Sequence, residues 1–189
     1  RQALAKRIWI RDEINHASRC AGIAVLATSH CAAVCHGNRY ANCLFHMVGA
    51  ATLLRDVFGF DAFRPGQLDI VEAVTAGENV LAIMPTGAGK SLCYQLPAVI
   101  MDGTCIVISP LIALMHDQVG ALHEAGVSAA FLNSTLTSDE ASDIERRLLR
   151  GEITLLYAAP ERVTNGRFLA QMDSLLERGL LSLFAIDEA

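Results

Sequence analysis

The sequence lacks an uninterrupted run of 18 apolar residues, the shortest length that reads as a membrane-spanning helix. The longest apolar stretch, at residues 20–35, contains a threonine, a serine and a histidine. Several arginines precede it, so a signal peptide is an alternative interpretation of this stretch. A hydrophobic content of 52% excludes a disordered polyampholyte.

An excess of positive charge is also lacking, since the formal net charge is −5. Residues 1–50 hold six Lys and Arg against two Asp and Glu, whereas residues 51–189 hold nine against eighteen. Domains that bind nucleic acids often have a basic balance. Charge therefore argues against a nucleic-acid partner, and any case for one depends on motifs.

The six cysteines do not form the pattern of a disulfide framework. Cys93 and Cys105 lie inside apolar stretches, so we expect buried free thiols in a reducing cytoplasm. A zinc site is an alternative for the first 50 residues, with these candidate ligands: Cys31, Cys35, His36, Cys43 and His46. Their spacing is irregular, so a poorly ordered extension or a misassigned start is the favoured interpretation.

Helix and strand patterns alternate after residue 50, which predicts an α/β domain at 51–189 behind an N-terminal extension at 1–50. The predicted helices cover residues 51–58, 67–76, 90–101, 111–125, 138–150 and 168–178. The predicted strands cover residues 79–84, 104–109, 127–132, 154–158 and 181–186. We expect Ser138 to cap its helix, with Glu140 nearby.

A glycine-rich segment, MPTGAGKS at residues 84–91, separates a predicted buried strand from a predicted helix. Backbone N–H groups at a helix N-terminus bind phosphate, and Gly87 and Gly89 let the backbone approach closely. Lys90 would pair with the β- and γ-phosphates, and Ser91 would place a hydroxyl on Mg²⁺. Methionine replaces the first glycine of the general pattern, and a plain glycine-rich turn is the alternative.

The last predicted strand runs directly into Asp187 and Glu188. In a site of this kind Asp187 would hold Mg²⁺, and Glu188 would polarise the attacking water. Both would lie at the carboxyl edge of the sheet, beside the phosphate-binding loop. An acidic pair after a strand is weak evidence alone, but downstream of such a loop it indicates a nucleotide site.

Four strings in this order resemble the motifs of superfamily 2 helicases: MPTGAGKS, SPLIALMHDQV at 109–119, APER at 159–162 and DEA at 187–189. Three more are similar to the RecQ group: FGFDAFRPGQ at 58–67, SLCYQLP at 91–97 and LNST at 132–135. The resemblance implies a RecA-like P-loop lobe with a mostly parallel sheet flanked by helices. It also implies an ATP-dependent 3′–5′ DNA helicase that uses ATP and Mg²⁺ and translocates on single-stranded or partly duplex DNA.

The resemblance assigns roles to residues on either side of the loop. Gln67 would read adenine, Arg64 would support the nucleotide, and Phe60 replaces the family's usual tyrosine while keeping an aromatic face. The loop residues implied to contact ATP are Thr86, Gly87, Ala88, Gly89, Lys90 and Ser91. Ala88 stands where the family commonly has a second glycine.

Two further segments are implied to contact DNA, and they contain Ser109, Pro110, Asn133, Ser134 and Thr135. The alternatives are a strand-to-helix turn with a core helix for residues 109–119, and a helix-capping role for residues 133–135.

The family's acidic motif continues with histidine and is followed by a second lobe, so we expect this chain to be the first lobe of a longer protein. Alone it would bind nucleotide weakly and neither hydrolyse ATP nor unwind DNA. We expect a cytoplasmic location, associated with the nucleoid in a bacterium. The alternative functions are an RNA helicase or DNA translocase of the same superfamily, and a nucleotide-sensing module without catalysis.

Overall fold

The computed structural model describes residues 22–28 and 49–187. In this part of the chain six strands form one sheet in the order β2-β1-β6-β3-β5-β4. The strands are β1 (Gly22–Thr28), β2 (Val80–Met84), β3 (Thr104–Ile108), β4 (Ala129–Leu132), β5 (Leu155–Ala158) and β6 (Leu181–Ile186). The helices are α1 (49–56), α2 (Gln67–Thr75), α3 (Leu92–Ile100), α4 (Ile112–Glu124), α5 (Ser138–Leu149), α6 (Pro160–Val163) and α7 (Gly166–Glu177).

Four neighbouring strands, β6, β3, β5 and β4, are parallel. Every residue of β3 and β5 is buried, as expected for central strands that helices cover on both faces. The prediction of an α/β fold with a mostly parallel sheet flanked by helices is confirmed.

Strand β1 runs antiparallel to both of its neighbours, β2 and β6. The strands β2 and β6 therefore run in the same direction, and their carboxyl ends lie at the same edge of the sheet. No strand is predicted before residue 50, because the apolar stretch there has no sustained period. The division of the chain near residue 50 stays a prediction.

Two apolar clusters fill the two faces of the sheet. On one face, α3 and α4 pack on the strands, and the buried residues include Tyr94, Met115 and Tyr157. On the other face, α5 and α7 pack against β3, β4 and β5, with Leu148 and Met172 buried. Cys93 and Cys105 are buried free thiols, as predicted, and burial raises the pKa of Cys93 to about 11.

The predicted helices and strands agree with the structure to within a few residues, and two corrections are needed besides the unpredicted strand β1. The N-cap of α5 is Thr137, not Ser138, because Thr137 accepts a hydrogen bond from the backbone of Glu140. The short helix α6 was not predicted, although Pro160 at its first position is a known helix-start signal. No helix among the described residues is long and apolar enough to cross a membrane.

Candidate nucleotide-binding site

The phosphate-binding loop connects the end of β2 to the start of α3. Gly87 and Gly89 have positive φ angles of 78° and 81°, which glycine adopts at little cost. The backbone N–H of Ala88 donates to the Pro85 carbonyl at 3.1 Å and closes the turn. A Cβ placed on Gly87 would meet no atom within 4 Å, so there is open space beside the loop. The loop is therefore a tight turn that depends on its glycines and has open space beside Gly87.

Gln67 and Arg64 contact this loop directly. The Gln67 Nε2 donates to the carbonyls of Gly89 at 3.0 Å and Ala88 at 3.3 Å, and its Oε1 accepts from the Arg64 N–H at 2.8 Å. The Arg64 Nη1 donates to the Gly87 carbonyl. The Gln67 amide is therefore buried and bridges α2 to the loop, a contact that the sequence did not reveal. Its role in reading adenine stays a prediction.

Phe60 lies apart from these contacts. It is 52% exposed, and its backbone N–H donates to the Leu54 carbonyl at 3.1 Å. Its ring is thus accessible for the stacking role that the resemblance implies, which stays a prediction.

Asp187 follows β6 at the carboxyl edge of the sheet and is 3% exposed. Its Oδ2 accepts a hydrogen bond from the Tyr94 hydroxyl at 2.9 Å, and its backbone N–H donates to the Ile108 carbonyl at 2.8 Å. Tyr94 follows Lys90 by one helical turn. This hydrogen bond therefore places the acidic residue next to the helix that begins at the phosphate-binding loop. Glu188 lies outside the described residues.

The donor set fits a magnesium ion. A serine hydroxyl and a carboxylate are oxygen ligands of the kind that Mg²⁺ prefers, and Ser91 and Asp187 would supply them. Among residues 22–28 and 49–187, no cluster of three or more His, Cys, Asp or Glu is present that could hold a metal ion by itself. Mg²⁺ usually takes several of its ligands from water and from substrate phosphates. The five candidate zinc ligands, from Cys31 to His46, lie outside the described residues.

A buried polar network adjoins the site, and no motif in the sequence predicts it. The Gln95 Nε2 donates to the Tyr157 hydroxyl at 2.9 Å and to the Gln118 Oε1 at 2.5 Å. The rings of Tyr94 and Tyr157 meet edge to face, with centroids 6.4 Å apart. We define these four residues and Asp187 as the tyrosine network.

The residues implied to contact DNA follow β3 and β4 at the same edge of the sheet. Ser109 and Asn133 are buried, whereas Pro110, Ser134 and Thr135 are exposed. The Asn133 Oδ1 accepts from the N–H and the hydroxyl of Thr135, at 2.9 and 2.7 Å. This arrangement closes an Asx-type turn and caps no helix, so a structural role of Asn133 is visible, whereas DNA contact stays a prediction.

An α/β sheet with a phosphate-binding loop and a buried acidic residue at its carboxyl edge defines a P-loop nucleotide-binding domain of the RecA-like type. Comparison with known families agrees with this class. The chain belongs to the DEAD/DEAH box helicase family, whose sequence model matches residues 64–189.

The similar proteins are RecQ-type helicases, which confirms the resemblance found in the motifs. The chain is 48% identical to the ATP-dependent DNA helicase RecQ of Bacillus subtilis over 141 residues, covering 74% of this chain and 23% of that protein. It is 43% identical to the ATP-dependent DNA helicase RecQ of Haemophilus influenzae over 140 residues, covering 74% and 22%. It is 49% identical to the ATP-dependent DNA helicase Q5 of Rattus norvegicus over 142 residues, covering 72% and 14%. The chain thus spans less than a quarter of the length of these relatives.

Proposed function

We propose that the protein is an ATP-dependent DNA helicase of the RecQ type that moves 3′ to 5′, and that this chain supplies its nucleotide-binding lobe. The observation that carries the proposal is the hydrogen bond between Tyr94 and Asp187. It joins α3, the helix after the glycine-rich loop, to the residue that follows β6. The similarity to proteins named as DNA helicases supports DNA as the substrate.

The residues around the loop would have separate roles in ATP binding and hydrolysis. The loop N–H groups and Lys90 bind the β- and γ-phosphates, and Ser91 and Asp187 hold the magnesium ion. The ion, when bound, neutralises the charge that develops on the transferred phosphoryl group. Glu188 polarises the attacking water. Phe60, Arg64 and Gln67 hold the nucleotide from the side of α2.

DNA would bind at the segments that follow β3 and β4. Ser109, Pro110, Asn133, Ser134 and Thr135 share the sheet edge with the nucleotide site, so a strand bound there is close enough to respond to ATP. The contacts would be mainly to phosphates, which makes binding sensitive to salt and insensitive to base sequence.

A second RecA-like lobe would complete the site, since ATP in such enzymes lies between two lobes. The 189-residue chain alone therefore binds nucleotide weakly and does not turn it over. We propose that the whole protein acts in the cytoplasm, where ATP and DNA meet in a bacterium.

The test is a steady-state ATPase assay of the full-length protein with and without single-stranded DNA, followed by unwinding of duplexes with 3′ or 5′ tails. We expect hydrolysis that DNA stimulates and unwinding of the 3′-tailed duplex only. The Lys90→Ala variant should lower hydrolysis about a hundredfold or more, because a charge-stabilising donor is lost. Stimulation by RNA alone would favour an RNA helicase. Nucleotide binding without DNA-dependent hydrolysis would favour a sensing module and overturn the proposal.

A further inference from the structure

Tyr94 contacts both residues that would hold magnesium. Its hydroxyl donates to the Asp187 Oδ2 at 2.9 Å, and its backbone N–H donates to the Ser91 carbonyl at 3.2 Å. Tyr94 itself is 0% exposed. One buried residue is thus bonded to a proposed ligand on the loop side of the site and to one on the strand side.

The tyrosine network holds this hydroxyl in place. The Tyr94 ring packs edge to face on Tyr157, whose hydroxyl accepts a hydrogen bond from Gln95. Gln95 also donates to Gln118 of α4, so three elements of the fold fix the group. Hydrogen-bonded networks of buried polar groups are rigid and specify one arrangement of side chains.

A purely structural role explains the ring of Tyr94 but not its hydroxyl. Phenylalanine would fill the same volume without placing a polar group in the core, which is costly unless the group is hydrogen-bonded. The Tyr94 hydroxyl donates its proton to the Asp187 Oδ2, so its polarity serves to hold that carboxylate in one place.

We propose that Tyr94 is a positioning residue, whose hydroxyl holds the Asp187 carboxylate at the distance from the start of α3, and so from Ser91, that a magnesium ion requires. Groups that hydrogen-bond to metal ligands orient them and raise metal affinity in this way. The inference rests on the proposed function for the identity of the ion. It concerns Tyr94, a residue to which the family motifs give no role.

The test compares ADP affinity with Mg²⁺ and with EDTA, measured calorimetrically on the full-length protein. The ratio of the two dissociation constants reports the contribution of the ion within each variant. For Tyr94→Phe we expect this ratio to fall about tenfold, the usual loss for a group that supports a metal ligand, while affinity in EDTA stays unchanged. A general loss of core stability would weaken both affinities together.

The matched control is Tyr157→Phe, which removes a hydroxyl from the same core without removing the hydrogen bond to Asp187. Its ratio should fall less than that of Tyr94→Phe, because the network loses one support while the hydrogen bond to Asp187 remains. An unchanged ratio in Tyr94→Phe, or equal falls in both variants, would overturn the inference. Absence of ADP binding by the unmodified protein would instead contradict the proposed function. Failure of the inference and failure of the proposed function are therefore distinguishable.

Discussion

At the scale of single residues, the two glycines of the phosphate-binding loop are not equivalent. Both have positive φ angles, 78° for Gly87 and 81° for Gly89. A Cβ on Gly89 would lie 2.6 Å from the Gln67 Nε2, whereas a Cβ on Gly87 would meet nothing within 4 Å. Gly89 is therefore required for both its backbone and its lack of a side chain, and Gly87 for its backbone only.

We expect Gly89→Ala to be the more damaging of two matched variants. Each substitution costs about 1–2 kcal/mol of folding free energy, because alanine resists the left-handed region. Gly89→Ala also displaces Gln67 from its hydrogen bonds to the loop carbonyls, so its loss should be larger. Urea denaturation of both variants measures the difference in folding free energy. Equal losses would show that the Gln67 side chain can move away without a measurable loss of stability.

Some residues of the candidate site can be predicted from the sequence, and others cannot. The loop and Asp187 follow from local motifs, because the chemistry of phosphate binding fixes residue types at fixed spacing. The contact of Gln67 with the loop and the tyrosine network do not follow. Tyr94 and Asp187 are 93 residues apart in the chain, and only the packing of α3 on β6 brings them together.

At the scale of elements, α5 begins with a complete capping box. Thr137 accepts from the Glu140 N–H, and the Glu140 carboxylate accepts from the Thr137 backbone N–H at 2.8 Å. The hydrogen bond from the Thr137 hydroxyl to the Glu140 carboxylate, at 2.7 Å, and then the one from the Thr137 N–H lower the pKa of Glu140. The first turn of this helix is therefore stabilised by local capping hydrogen bonds, which do not depend on packing in the core.

We expect Thr137→Ala to destabilise the protein by about 1 kcal/mol, the usual loss for an N-cap, and Ser138→Ala to have a smaller effect. The contribution of Glu140 has a defined pH dependence, because its pKa is lowered in the folded state. It is fully present above the unfolded pKa of about 4.3 and is lost as pH falls through the lower folded pKa. Urea denaturation from pH 7 to pH 3 measures this trend, and a greater effect of Ser138→Ala would contradict the assignment of the cap.

The elements show where sequence patterns suffice and where they fail. Long periodic segments such as α4 and α7 were predicted, because burial of one face fixes their pattern. The cap of α5 was wrong by one residue, since threonine and serine are adjacent and both suit the position. Strand β1 was not predicted, because only its pairing with two distant strands gives it a place in the sheet.

At the scale of the whole molecule, β1 connects the two halves of the candidate site. It pairs with β2, which leads into the phosphate-binding loop, and with β6, which leads to Asp187. Val25 lies opposite Leu81 on one side and Ile186 on the other. The backbone of β1 therefore sets the distance between β2 and β6.

We expect Val25→Pro to weaken this connection, because proline removes a backbone N–H from the ladder and is not tolerated in a central strand. The expected loss is about 1 kcal/mol, the net contribution of one backbone hydrogen bond. Hydrogen exchange should accelerate at the amides of β2 and β6. Val25→Ala keeps the N–H and serves as the control, and unchanged exchange in the proline variant would show that β1 does not hold these strands together.

The first turn of α3 has a mechanical consequence. Lys90 and Ser91 stand at its start, and Tyr94, four residues after Lys90, grips the end of β6 through Asp187. A displacement of this turn would therefore move Lys90 and the Asp187 carboxylate together. A triphosphate bound as proposed would then meet one connected unit instead of two loops that fluctuate separately.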